Sequence, residues 1–219
     1  MPKYPRTPHP SIGRTFTKKL VTSLVLTTLA STVGVAREME QKPRITILIQ
    51  NHTRASHTVL AGAERTATRI FERAGVQVSW VECPVEPSAV NAQAQCQKAS
   101  NDNNVQLHLV SAHVKGDSRS CVWGSASYPN VARVYYADVT SFAVEYQLGM
   151  ASVLGFVIAH EIGHVLLGPN SHYGIGIMRP QWSFEQVRQG LMGVLCFTHE
   201  QSERIRAEVT RRVCLRRSW

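Results

Sequence analysis

Two histidines and a glutamate stand at a spacing that suits metal chemistry. His160, Glu161 and His164 form the pattern His-Glu-x-x-His. On an α-helix, side chains four positions apart share one face, so both imidazoles can point toward one ion. A zinc ion lowers the pKa of its water ligand to about 7, and the neighbouring carboxylate then takes the proton as the water attacks a carbonyl group. The same carboxylic acid can return the proton to a leaving amine.

The segment around this motif favours a metal site over a chance pattern. Residues 149–168 are apolar on almost every side, which predicts a helix buried in the centre of the domain and ended by Gly168 and Pro169. Burying an unpaired carboxylate and two imidazoles costs several kcal/mol, and a bound metal ion offsets that cost. The alternative is a pair of buried histidines satisfied by hydrogen bonds.

A catalytic zinc site needs a third protein ligand. His172 follows the motif by eight residues, and Gly168 supplies a turn that can bring the chain back beneath the helix end. Glu185 or Glu200, on a later helix, would instead complete a site of two histidines and one carboxylate. His199 stands near a helix start, a position typical of surface residues. We expect His172 to be the third ligand.

Strand and helix signals before this motif predict an α/β fold. Residues 44–52 alternate polar and β-branched side chains, as a strand does. Residues 57–76 carry apolar side chains at helical spacing, with Gly75 as the stop, and residues 76–83 form a second strand. A strand–helix–strand order within so short a span favours parallel pairing of the two strands.

Three further strands are predicted before the motif. Residues 105–114 alternate, with Leu107 and Leu109 on one face of the strand. Residues 122–127, from Val122 to Ser127, are short, rich in Ser and Gly and followed by a proline, which suits an edge strand. Residues 131–139 form another strand, and the pattern becomes helical from Ser141.

Two helices are predicted after the motif. Ser183 and Thr198 are plausible caps, and each is followed three residues later by a glutamine, Gln186 and Gln201, which is the capping-box pattern.

The N-terminus has the pattern of a secretory signal peptide. Residues 1–19 carry five basic residues and no acid, and an apolar run at 20–36 follows with small residues at its exit. Cleavage after Ala30 or Ala36 would fit. We therefore predict a signal peptide over residues 1–36 and a mature domain over 37–219 that is secreted or periplasmic, without stable membrane insertion after cleavage. An uncleaved signal would leave a membrane anchor.

The net positive charge of the chain does not require a nucleic-acid partner as its explanation. Five of the 24 Lys and Arg residues and none of the 15 acids lie in residues 1–36, so the net charge falls from +9 to +4 when that segment is removed. Much of the remaining positive charge lies in the C-terminal tail, whose six arginines and one glutamate are typical of a solvated, basic amphipathic helix. We expect no nucleic-acid partner.

The five cysteines suit an oxidising compartment. Cys83 and Cys96 flank a polar stretch and form a natural disulfide pair. Cys196 and Cys214 could link the end of one C-terminal segment to the last helix. In that pairing Cys121 has no disulfide partner. Spacing alone does not settle the connectivity.

The run HEIGHVLLGPNSH followed by GIM resembles the metzincin zinc metallopeptidases, whose motif is HExxHxxGxxH followed by a Met-turn. This chain is one residue longer on each side of the glycine. Within that group it resembles the matrixin-like bacterial type. The resemblance implies that His160, His164 and His172 are the zinc ligands and that Glu161 is the general acid–base catalyst. It also implies that Gly168 is the turn glycine and Met178 the Met-turn residue.

The resemblance also implies the architecture. It implies a metzincin-like catalytic domain with a mixed twisted sheet, an antiparallel edge strand, an active-site helix and C-terminal helices. In that family the edge strand pairs with an extended peptide, which makes residues 122–127 the expected substrate strip or, equally, an ordinary edge strand. Tyr173 either steadies an oxyanion or simply packs.

These observations together predict an exported, monomeric, zinc-dependent endopeptidase that acts on extended peptide or protein substrates, with Glu161 as the general base. Two alternatives remain open, namely a zinc amidase acting on cell-wall peptides and a non-catalytic, zinc-stabilised binding module.

Overall fold

A computed structural model describes residues 42–85, 94, 96–97, 103–111 and 123–217. The described residues belong to one compact unit that spans residues 40–219. The predicted signal peptide and Cys121 lie outside the described residues, as do most of the residues 86–102 and all of the residues 112–122.

Five strands in the described part of the chain form one mixed sheet. They are β1 (Arg44–Asn51), β2 (Gln77–Cys83), β3 (Val105–Val110), β4 (Gly124–Ser127) and β5 (Val131–Tyr135). Their order is β2-β1-β3-β5-β4, and all neighbours are parallel except β4, which pairs antiparallel with β5 at the edge. The predicted α/β fold with an antiparallel edge strand is therefore confirmed.

The first half of the sheet is a parallel βαβ unit, as predicted. Helix α1 (His57–Arg73) begins after Ser56, whose side chain accepts a hydrogen bond from the backbone N–H of Val59. Gly75 ends the helix at a φ of 82°, a backbone conformation that glycine adopts without steric cost. The chain then enters β2, which pairs with β1 along its whole length.

The chain after β5 differs from the prediction. The strand expected over residues 131–139 ends at Tyr135, and helix α2 (Tyr136–Glu145) follows at once. The last residue of β5 pairs with Val110, the last residue of β3, so the ladder between these two strands ends at this point in the described part of the chain. Val139 and Ala143 are buried at helical spacing, and Asp138 in the first turn favours a helix N-terminus.

The motif lies on helix α3 (Met150–Leu167), which is buried in the core as predicted. It packs against α1 at short range, because Gly155 lets the two backbones approach: a Cβ at Gly155 would lie 2.5 Å from the Thr66 Cβ and 2.6 Å from the Ala63 carbonyl oxygen. Apolar side chains of the sheet, including Ile47 and Leu107, belong to the same core. The motif is thus carried by one of the most tightly held parts of the fold.

Two helices follow the motif, α4 (Phe184–Leu191) and α5 (His199–Arg217). Both predicted capping boxes are present: Ser183 and Gln186 exchange hydrogen bonds at the start of α4, and Thr198 and Gln201 do so at the start of α5.

Of the two suggested disulfides, one is present and the other is not. Cys83 and Cys96 form the expected disulfide. The suggested bond between Cys196 and Cys214 is wrong, because Cys196 keeps a free thiol that lies 3.1 Å from an Arg73 guanidinium nitrogen. That thiol faces α1 rather than the last helix.

Candidate metal centre

Three histidine side chains converge at the C-terminal end of α3. The Nε2 atom of His164 lies 3.0 Å from Nε2 of His160 and 3.0 Å from Nε2 of His172. These three form the only group of His, Cys, Asp or Glu side chains in the described part of the chain that could hold a metal ion together. The structure therefore brings together the three residues that the sequence predicts as ligands.

The opposite ring nitrogens of two of these histidines are held by the protein. Nδ1 of His160 lies 2.7 Å from the carbonyl oxygen of Ile177, which can only accept, so Nδ1 donates and Nε2 carries a bare lone pair. Nδ1 of His164 lies 2.8 Å from the Ser171 hydroxyl oxygen. Such partners fix the tautomer and the orientation of a metal-binding imidazole.

The backbone between His164 and His172 shows how the longer step is accommodated. Gly168 ends α3 at a φ of 86°, with its N–H bonded to the carbonyl oxygen of His164, and Asn170 also adopts a positive φ of 57°. Two left-handed residues within three positions reverse the chain direction. Ser171 is then buried against His164, and the next residue, His172, reaches the other two histidines.

The three histidines fit a zinc ion. Zinc–nitrogen bonds of about 2.0–2.1 Å in a tetrahedral site place ligand nitrogens about 3.3–3.4 Å apart, close to the separations observed here. Burial lowers the pKa of His160 to about 4. Burial and the neighbouring His160 and His172 lower the pKa of His164 to about 3. Both rings are therefore neutral at pH 7, and three imidazole nitrogens that face one another at this distance can act together as ligands of a cation.

The other residues considered as third ligands are engaged elsewhere. Glu185 is exposed and pairs with Arg188 at 2.8 Å. His199 lies 3.3 Å from Glu203 on the exposed side of α5. Glu200 is exposed and does not belong to the histidine group.

Glu161 lies beside the histidines and against the edge strand. Its side chain is buried, and burial raises the pKa of its carboxyl group to about 8. A Cβ atom at Gly124, the first residue of β4, would lie 2.5 Å from Cγ and 2.6 Å from the carboxyl carbon of Glu161. The absence of a side chain at Gly124 therefore makes room for the carboxyl group, a role that the sequence analysis missed.

The predicted Met-turn residue lies beneath the motif. Met178 is fully buried, and a Cβ at Gly163 would lie 2.6 Å from its sulfur atom. The carbonyl oxygen of Met178 accepts a hydrogen bond from the N–H of Tyr173 at 2.8 Å, which ties the methionine to the residue after His172. The side chain of Tyr173 is 50% exposed.

A cavity of about 840 Å³ opens on the histidines and Glu161. One part of its wall is a chain of aromatic rings in mutual contact: Trp123 with Phe142 and Trp182, and Tyr146 with Phe142 and Phe184. Gly124, Ser125 and Ala126 of β4 form another part. The histidines, the carboxyl group and the sheet edge therefore face one shared cavity.

The aromatic wall was not predicted, because its rings come from three separate places in the chain. Trp182 lies four positions after Met178, and the sequence could have indicated its role, because a large aromatic side chain so near a metal motif is a candidate for the wall of a binding cavity. Its neighbours Trp123 and Phe142 are distant in sequence, and only the fold places them beside it.

The similarities between this chain and known proteins do not establish its function. No protein-family model matches the chain, and no curated protein matches it. Among solved structures, it is similar to archaemetzincin from Methanopyrus kandleri, with 15% identity and a TM-score of 0.47, over 80% of this chain and 99% of that one. It is also similar to a zinc-dependent peptidase from Methanocorpusculum labreanum, with 15% identity and a TM-score of 0.49, over 73% of this chain and 99% of that one. Likenesses of this size assign no function, so the assignment rests on the site itself.

Proposed function

We propose that this protein is an exported zinc-dependent endopeptidase in which His160, His164 and His172 bind the metal and Glu161 is the general base. The observation that carries the proposal is the convergence of three imidazole nitrogens beside a buried carboxyl group in an open cavity. When bound, zinc supplies Lewis acidity for a carbonyl group and acidifies water.

The role of Glu161 follows from its surroundings. The raised pKa of its carboxyl group shows how strongly burial favours the neutral form, and a bound cation nearby favours the carboxylate. The carboxylate accepts a proton from the attacking water, and the resulting acid donates it to the amine that leaves. Because Glu161 lies against Gly124, this proton transfer takes place at the edge of the sheet.

The edge strand and the aromatic wall together suit an extended peptide. Among the strands that the structure describes, β4 pairs with β5 alone, so its other side offers backbone groups to a substrate strand. Of the predicted substrate strip, residues 122–127, the part Gly124–Ser127 forms this strand. We infer that a bulky apolar side chain of the substrate enters the aromatic part of the cavity, because rings such as Phe142 and Trp182 bury such groups favourably.

Export is supported by two independent features. The N-terminal sequence has the pattern of a signal peptide, and the Cys83–Cys96 disulfide suits an oxidising compartment. We infer a secreted or periplasmic location.

The test compares the wild-type protein with Glu161→Gln, each loaded with zinc, on a mixed peptide library read by mass spectrometry. We expect the wild type to cleave internal peptide bonds, and the variant to retain zinc while its rate falls by about 10²- to 10⁴-fold. Glu185→Gln is the matched control, because this glutamate is exposed and pairs with Arg188, and it should behave as wild type.

Other outcomes separate the alternatives. If both proteins hold one zinc ion and neither cleaves any peptide in the library or any cell-wall peptide, the site belongs to a binding module. If only cell-wall peptides are cleaved, the protein is an amidase of that class.

A further inference from the structure

The indole of Trp182 shares a hydrogen-bond acceptor with a histidine of the metal centre. Its Nε1–H donates to the carbonyl oxygen of Ile177 at 3.1 Å, and Nδ1–H of His160 donates to the same oxygen at 2.7 Å. A carbonyl oxygen has two lone pairs and can accept both bonds at once. The two rings also meet edge to face, with centroids 5.3 Å apart and planes at 85°.

The shared carbonyl group belongs to a rigid segment. The side chain of Ile177 is fully buried, and its N–H donates to the carbonyl oxygen of Cys196 at 2.9 Å. Gly176 precedes it at a φ of 73°, and a Cβ there would lie 2.6 Å from the same Cys196 oxygen. The backbone of Ile177 is therefore held at its N–H by Cys196 and at its carbonyl oxygen by His160 and Trp182.

We propose that Trp182 is a positioning residue for His160: its indole N–H holds the Ile177 carbonyl in the direction that orients the imidazole, while its ring forms the wall of the aromatic cavity. This inference rests on the proposed zinc centre. It connects substrate binding to the metal, because a side chain that packs on the Trp182 ring contacts the same group that holds the Ile177 carbonyl.

The physical reason lies in the geometry of the metal–histidine bond. A partner on the far nitrogen of an imidazole sets the direction of the near lone pair, and loss of such a partner typically weakens metal binding by about 10- to 100-fold. Trp182 acts one step further out, through the carbonyl group. Its N–H should therefore have an effect near the lower end of that range.

The decisive experiment removes the N–H and keeps the ring. Trp182 is replaced by 3-benzothienylalanine, in which sulfur takes the place of the indole N–H, and Trp182→Phe is made in parallel. Zinc affinity is measured by competition with a chelator, and the melting temperature of the metal-free protein is recorded. We expect zinc to bind about 10-fold more weakly in the benzothienyl protein, with an unchanged melting temperature of the metal-free form.

Kinetics on a cleaved peptide give a second readout. The benzothienyl protein should lose kcat while KM stays close to wild type, because the wall of the cavity is kept. Trp182→Phe should lower kcat and raise KM together, because the smaller ring also removes part of the wall. Trp123→Phe is the matched control, since it shortens another ring of the same wall and should leave zinc affinity unchanged.

The experiment distinguishes a failure of the positioning role of Trp182 from a failure of the proposed peptidase function. Equal or tighter zinc affinity in a folded benzothienyl protein would overturn the positioning role, whatever the catalytic activity. A parallel loss of zinc affinity in Trp123→Phe would also overturn it, because the effect would then come from the wall in general. A wild-type protein that binds zinc but cleaves nothing refutes the peptidase proposal, and the zinc measurement still decides the role of Trp182.

Discussion

The carboxyl group of Glu161 lies in the space that a side chain on Gly124 would occupy. A Cβ at Gly124 would approach Cγ of Glu161 to 2.5 Å and the backbone oxygen of Arg133 to 2.6 Å, so neither the strand nor the carboxyl group could stay in place. The edge strand and the general base of the proposed mechanism can therefore lie this close together only because residue 124 has no Cβ atom.

We expect Gly124→Ala to lower kcat by about 10²-fold or more while zinc content stays at wild type, because the added Cβ displaces the carboxyl group and leaves the histidines untouched. Rate and zinc content are measured on the same preparation. Gly174→Ala is the control, since a Cβ there meets no atom within 4 Å. A kcat equal to wild type in Gly124→Ala would contradict the placement of Glu161.

Removal of His172 tests the third ligand. We expect His172→Ala to weaken zinc binding by more than about 100-fold, a larger effect than the loss of a partner outside the coordination sphere. Metal content after dialysis against a weak chelator checks this. His199→Ala, which removes an exposed histidine paired with Glu203, should keep its zinc. A folded His172→Ala protein with full zinc would show that another group completes the site.

The Ser171 hydroxyl should tune the affinity for zinc. It lies 2.8 Å from Nδ1 of His164 and is buried, so Ser171→Ala leaves that nitrogen without its partner. We expect zinc affinity to fall by about 10-fold, and Ser171→Thr to restore most of it because the hydroxyl returns. Identical chelator-competition curves for all three proteins would refute this role.

The stability of the protein should depend on pH through Glu64, far from the histidines. Burial, and then the charge of Glu82, raise the pKa of Glu64 from 4.5 to about 7 against the smaller opposite effects of His57 and Arg65. One of its carboxyl oxygens is buried and has no hydrogen-bond partner among the described residues. Its neutral form is therefore favoured in the folded state.

The sign of the effect follows from this raised pKa. The folded protein holds a proton on Glu64 that the unfolded chain releases near pH 4.5, so the contribution of Glu64 to stability falls as the pH rises from about 4.5 to 7 and then levels off. Glu64→Gln, which imitates the neutral acid, should remove this fall. At pH 8 it should be more stable than wild type by on the order of 1–2 kcal/mol, a value discounted for partial exposure of the group.

Urea unfolding of the metal-free protein at several pH values measures this difference. Glu82→Gln is the companion variant, because it removes the neighbouring charge and should narrow the pH window by lowering the pKa of Glu64. An unchanged pH profile in Glu64→Gln would show that the carboxyl group is hydrated in solution.

Local patterns in the sequence predicted much of the fold. The βαβ unit, the buried helix, the edge strand and both capping boxes follow from residue periodicity and from polar residues at helix starts. The prediction failed at residues 136–139, where β-branched and aromatic residues suggested that the strand continued. There the pairing with β3 ends at Val110, and the chain satisfies its next backbone groups by forming a helix.

The sequence by itself determined two ligands of the candidate metal centre and the carboxyl group beside them, because His160 and His164 lie one helical turn apart with Glu161 next to the first, and that spacing survives in any buried helix. Only the tertiary structure decided which residue completes the group and what surrounds it. His172 depends on two left-handed residues, Glu161 on a glycine of another strand, and the aromatic wall on rings far apart in the chain. Such contacts arise from packing between distant segments, which no local spacing encodes.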